Sequence, residues 1–236
     1  MRRSASGPTG PVAVMALLFF LAGCGGGSSP RTVAPTLNPF FTPYKDALYF
    51  SGQGKVEASV AALDSARTAW RRVASRPPVP YRNDGGWPER RDAVMRSLAD
   101  AADFLHEGHA PDAHESLEAV RYQLQAQNQA VGVQAWPDLL LEFHDPMEDL
   151  VTADDTEQME DQVPVLRESL GDLRAFTDST WTPAQTRAKA AGVENLAAAL
   201  DSVTAALRNG AALDAVRPRA RALKQAFVAV YMRSEY

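Results

Sequence analysis

All four histidines of this 236-residue chain fall between residues 106 and 144, and carboxylates accompany them. His106-Glu107-Gly108-His109 is followed by His114-Glu115, and His144 opens the stretch His144-Asp145-Pro146-Met147-Glu148-Asp149. Imidazole, carboxylate and thioether donors together suit copper, zinc or iron, according to their geometry. The candidate ligands of such a metal are His106, His109, His114, His144, Met147 and Glu148. Zinc-hydrolase chemistry does not follow, because it needs two histidines four apart on one helix face with a glutamate between them. His106 and His109 are three apart, with Gly108 in the gap. The plainer reading of these residues is a solvated turn rich in His and Glu. No histidine follows His144, so any such site belongs to the first half of the chain or to its junction with the second.

A second candidate is the stretch Pro77-Pro78-Val79-Pro80-Tyr81-Arg82-Asn83-Asp84-Gly85-Gly86-Trp87. It is long for a connection between helices and mixes rigid Pro, mobile Gly and aromatic residues, as functional loops do. Tyr81 and Trp87 would then meet a ligand or partner; alternatively they cap the end of a bundle. Other chemistries lack a required residue. There is no Gly-x-Ser-x-Gly elbow, and Gly52-Gln53-Gly54 has no Lys-Ser/Thr after it to make a phosphate loop. The acidic run 145–161 lacks the order of an EF-hand loop. A net charge of −5 argues against a nucleic-acid partner, and one Cys permits neither an internal disulfide nor a multi-cysteine metal site.

That cysteine has a clearer role. Arg2 and Arg3 precede an apolar run over residues 12–22, far short of the ~20 residues a bilayer span needs. Leu21-Ala22-Gly23-Cys24 then resembles the lipobox of bacterial lipoproteins. The resemblance implies cleavage before Cys24, a diacylglyceryl thioether on its sulfur and acylation of the new amino group. Residues 1–23 would be the signal peptide, and residues 24–43 the lipidated Cys24 with a flexible Gly/Ser/Pro tether. Gly25 after the cysteine resembles the pattern of lipoproteins sent to an outer membrane. The implied location is the cell envelope, facing the periplasm or the cell surface in a Gram-negative cell.

The elements that must position these residues are helices. Val56, Val60, Leu63, Trp70 and Val73 form one apolar stripe; Val94, Leu98, Ala101 and Leu105 form another, and Leu117, Val120 and Leu124 a third. Met159, Val163, Leu166, Leu170 and Leu173 continue the pattern, as do Leu196, Leu200, Val203 and Leu207, then Val216, Ala220, Leu223, Phe227 and Val230. Steps of three and four give one buried face per helix, and no run alternates as a strand would. The fold class is therefore all-α, an antiparallel helical bundle or bundles.

An internal duplication of a unit of roughly 100 residues is expected from the spacing. An offset of 103 residues puts Val56 on Met159 and Leu124 on Phe227, and an offset of 102 puts Leu98 on Leu200 and Gly108 on Gly210. The expected halves are residues 44–133 and 134–236. Trp87-Pro88, Trp136-Pro137 and Trp181-Thr182-Pro183 mark helix starts, where proline is tolerated. Pro164 and Pro218 either delay a helix start or kink a helix. Pro146 suits a helix start, which would leave His144 near a cap.

Arg67-Thr68-Ala69-Trp70 and the later His144…Glu148-Asp149-Leu150 resemble imelysin-type periplasmic proteins, which are duplicated helical bundles with a Gly-x-His-x-x-Glu signature. This chain has His-x-x-x-Glu and no matching Gly; the resemblance implies iron-related binding with His144 and Glu148 as ligands. The last helix resembles the terminal helix of cytochromes c-prime in its bundle character. Covalent haem is excluded, because Cys-x-x-Cys-His is absent. The sequence thus points to a lipid-anchored extracytoplasmic binding or interaction protein, non-catalytic and without a cofactor. Its partners would be the membrane, through its anchor, and a cell-envelope protein. The alternative is a periplasmic metal- or haem-handling protein using the histidines.

Overall fold

A computed structural model describes residues 34–236; the expected signal peptide, Cys24 and the start of the expected tether lie outside them. Nine helices account for nearly all of the described chain, and no strand occurs among the described residues. They are α1 (Ala34–Gly52), α2 (Val56–Ser75), the single turn α3 (Val79–Arg82), α4 (Trp87–His106), α5 (Ala110–Ala130), α6 (Trp136–Thr152), α7 (Thr156–Ala175), α8 (Pro183–Arg208) and α9 (Leu213–Met232). No described helix is long and apolar enough to cross a membrane.

The pairings form two rings. In the first unit α1 packs on α2, α2 on α4, α4 on α5 and α5 back on α1. In the second, α6, α7, α8 and α9 repeat that cycle, and α5 and α6 join the units. Each ring is a four-helix bundle held by the apolar stripes. Leu63, Trp70, Leu98, Leu105, Leu117 and Val120 fill the first core; Leu166, Leu173, Leu196, Leu200, Val216 and Leu223 fill the second. The glycine turns match in detail. Gly108 and Gly210 have φ of 82° and 66°, the left-handed region that favours glycine. The next residues, His109 and Ala211, donate back to the carbonyls of Phe104 and Ala206 at 2.8 and 3.1 Å, each closing its helix with the same 6→1 hydrogen bond.

Helix starts follow local chemistry. Trp87 and Trp136 open α4 and α6 with proline next to them. Thr182 caps α8, exchanging hydrogen bonds with Gln185, and Asp155 caps α7 by accepting from the Gln158 amide.

The tether requires correction. Residues 34–43 are not a flexible spacer but the first half of α1, so the first unit starts at Ala34 rather than at residue 44. Pro39 and Pro43 lie inside this helix, each removing a backbone donor at a cost of about 3 kcal/mol. Leu37, Phe40, Phe41, Tyr44, Ala47 and Leu48 are all buried at helical spacing, and that burial offsets the proline penalty. Pro146 likewise lies within α6 rather than at its start, so His144 sits in mid-helix, away from any cap. Pro164 and Pro218 delay nothing; α7 and α9 run through them. A 103-residue offset places Pro43 on Pro146, Phe40 on Phe143 and Lys45 on Glu148, so α1 is the counterpart of α6.

Candidate functional site

Where the two units meet, α1 and α5 face α6 and α9 across a cavity of about 440 Å³. Arg121 occupies a core position of α5, between Leu117, Val120 and Leu124, and is only 6 % exposed. Its Nη2 donates to Glu118 Oε1 at 2.7 Å and lies 3.3 Å from His144 Nε2. Its guanidinium carbon stands 5.6 Å from the Tyr231 ring centre. Arg121 Nε and Tyr231 Oη are both buried without a hydrogen-bond partner, and both residues wall the cavity.

Glu118 is the centre of the charged groups. Its Oε1 lies 3.5 Å from His114 Nε2 and 3.7 Å from His144 Nε2. Burial alone would raise its pKa, but His114, Arg121 and His144 outweigh that and hold the carboxyl at about 2. His144 is shifted down from its ordinary value, first by burial and then by the Arg121 charge, despite Asp145, Glu118 and Glu148. His144 and Glu148, four apart on α6, do share a face, with Nε2 3.5 Å from Oε1. Lys224 of α9 closes this edge with a 2.8 Å ion pair to Glu148.

His114 Nδ1 lies 3.0 Å from the Leu48 carbonyl, an acceptor only, so the proton resides on that nitrogen. Gly52 makes room for the ring: a Cβ there would stand 2.8 Å from His114 Cε1. Lys45 is buried and donates to the carbonyls of Tyr231, Met232 and Ser234, capping the end of α9. Burial pushes its ammonium down to about 8.

Of the six candidate metal ligands, the structure gathers three: His114, His144 and Glu148. His106 ends α4 and His109 precedes α5, both exposed on the turn between them, with His109 Nδ1 3.7 Å from Glu107. Met147 is fully buried in the core, away from the cavity. Among the described residues no group of three or more His, Cys, Asp or Glu is arranged to hold a metal ion. The added neighbours explain why: Arg121 and Lys224 already neutralise Glu118 and Glu148, and Arg121 stays cationic at any relevant pH.

The stretch 77–87 is not an open loop. Tyr81 is fully buried, donating to Asn128 Oδ1 at 2.5 Å, and Trp87 stacks on it at 5.2 Å. Both cap the first bundle, as the alternative reading has it, and neither is accessible to a ligand. Sequence reasoning missed Glu118, Arg121, Lys45, Lys224 and Tyr231. The available signal was an Arg at a stripe position of α5, where an apolar residue belongs. Compared with protein families, with curated proteins and with solved structures, the chain matches none.

Proposed function

We propose that this chain is a non-catalytic, lipid-anchored binding protein of the cell envelope that takes a small carboxylate or phosphate into the cleft between its units. One observation carries the reading. Arg121 and Tyr231 both line the cleft, and Arg121 Nε and Tyr231 Oη lack a hydrogen-bond partner of ordinary geometry. Each such group costs ~1–3 kcal/mol until it is satisfied. An oxyanion in the cleft would meet the Arg121 cation, and the cleft's own carboxylates, Glu118 and Glu148, are already paired.

The test is thermal unfolding in the presence of acetate, succinate and inorganic phosphate. A ligand at about 100 times its Kd adds about 2.7 kcal/mol of stability. At least one should raise the midpoint of the native protein, and Arg121→Met and the milder Tyr231→Phe should weaken that response. If none raises it, or the variants respond equally, the reading fails.

The anchor rests on the lipobox resemblance at Cys24, and the implied location is the membrane face of the periplasm or the cell surface. Cys24→Ala should move the protein from the membrane to the soluble fraction; retention in the membrane would remove the anchor from the proposal. A crosslinked cell-envelope protein remains the expected macromolecular partner.

A second reading, metal or haem handling, is favoured by one feature: two imidazole nitrogens approach the Glu118 carboxylate, and Glu148 approaches one of them. Elemental analysis and a search for a Soret band decide it. Stoichiometric metal or haem that is lost on His144→Ala would put this reading first. If metal binds, Arg121→Met should strengthen it by removing the opposing cation.

A further inference from the structure

At the far end of the second unit, Trp136, Phe176 and Trp181 stand 5.6 to 5.9 Å apart, with Trp136 and Trp181 at 87° to each other. They are walls rather than a stack. Lys189 Nζ lies between them, 4.9 Å from the Trp136 ring centre and 5.2 Å from each of the others. We propose that this box is a second ligand site, for the quaternary ammonium group of a small molecule, and that Lys189 is its internal stand-in.

Aromatic faces attract cations through the ring quadrupole, and three faces around one point favour a cation over any neutral group. A primary ammonium is strongly hydrated and gives up much when it leaves water. Burial shifts Lys189 downward, and no nearby charge offsets that shift. A quaternary ammonium has no N–H groups to keep solvated, so it gains more from the same three faces. Lys189 is half-buried and shows no ion pair or hydrogen bond among the described residues, so displacing it breaks only the ring contacts. Room is present as well. A cavity of about 330 Å³ has Trp136, Trp181 and Lys189 in its wall. Glu235, which accepts from Gln185 at 2.8 Å, and Arg233 line the same cavity. Arg233 suits a ligand that also carries an anionic group.

The experiment is calorimetric titration of the full chain with choline and with its uncharged tert-butyl isostere. Choline is expected to bind one to one, at least about tenfold more tightly than the isostere. Lys189→Gln removes the competitor and should tighten choline binding about fivefold or more, while half-exposed Trp181→Leu should weaken it by about tenfold. Arg121→Met should leave choline binding unchanged, which separates this site from the cleft. Absence of choline binding to both the native protein and Lys189→Gln overturns the proposal. So does equal binding of the isostere, or a Lys189→Gln variant that binds choline no more tightly.

Discussion

The two bundles share helix order, pairing and turn geometry, yet they close their equivalent ends by opposite means. In the first unit Phe40, Trp70, Tyr81 and Trp87 interlock, with Phe40 4.8 Å from Trp70 and Trp70 5.9 Å from Trp87, and all four are buried. In the second, Trp136, Phe176 and Trp181 surround a lysine, and only Trp136 is buried. The 102-residue offset that aligns Leu98 with Leu200 puts Lys189 where Trp87 stands. That position carries an aromatic at the sealed end and a lysine at the receptive one. The connecting segments reinforce the contrast. Residues 76–86 are long enough to fold α3 over the first end, whereas residues 176–182 only span theirs.

The most forceful way to break this comparison is to truncate one aromatic at each end. Trp70→Ala should cost about 3–5 kcal/mol in chemical denaturation, because it empties a fully buried site. Trp181→Ala should cost ~1 kcal/mol, since water already reaches that ring. Equal losses would mean that the ends are built alike.

The seam between the units offers the next test. Asn128 donates to Asp138 at 2.9 Å and to the Tyr236 hydroxyl at 3.2 Å, linking α5, α6 and the C-terminus. Burial, against the Asn128 and Ala135 hydrogen bonds, raises the Asp138 carboxyl from 3.8 to about 7. An acid whose folded pKa lies above its unfolded value binds more protons when folded, so its stability contribution fades as pH rises through that window. Stability measured from pH 4 to 7 should therefore fall, and Asp138→Asn should flatten the fall. An unchanged profile would show that Asp138 stays ionised.

Glu118 carries the opposite sign. With its pKa held down at about 2, its contribution is present above the ordinary 4.5 and is lost as acid is added through that interval. Glu118→Gln should remove this acid-side loss and should lower the His144 pKa, whereas Arg121→Met should raise it, read by proton NMR. The opposite signs follow because Arg121 lowers the His144 pKa while Glu118 raises it. A His144 pKa that moves up in Glu118→Gln, or down in Arg121→Met, would contradict the cleft's electrostatics.

The smallest effect expected is on stability in Lys189→Gln, within about 0.5 kcal/mol, as for other partly exposed surface changes. Trp87→Gln at the equivalent position should cost several times as much, on the order of 3 kcal/mol, by putting a polar side chain in a sealed aromatic core.

The helical stripes were legible because period and burial agree: Leu63, Leu98, Leu166 and Leu200 are buried where their spacing places them. Helix α1 was not legible from Pro39 and Pro43, whose local preference opposes a helix; it follows only from Phe40, Phe41 and Tyr44 having a core to enter. In the cleft, His144 and Glu148 were found because they lie one helical turn apart. Glu118 and Lys224 were not, since they reach the site from different helices. For Tyr81 and Trp87 the sequence left a ligand-facing loop and a bundle cap both open, because an aromatic residue in a Pro/Gly segment looks exposed until α3 folds it inward.

By itself, the amino-acid order determined the all-α class, the repeated helical period and the lipobox-like segment ending at Cys24, since each depends on neighbours a few residues apart. Tertiary packing decided the rest. It drew two prolines into a core helix, buried Arg121 and Tyr231 in the wall of the cleft, and gathered three rings around Lys189. These outcomes depend on which surfaces meet, and short-range spacing carries no record of that.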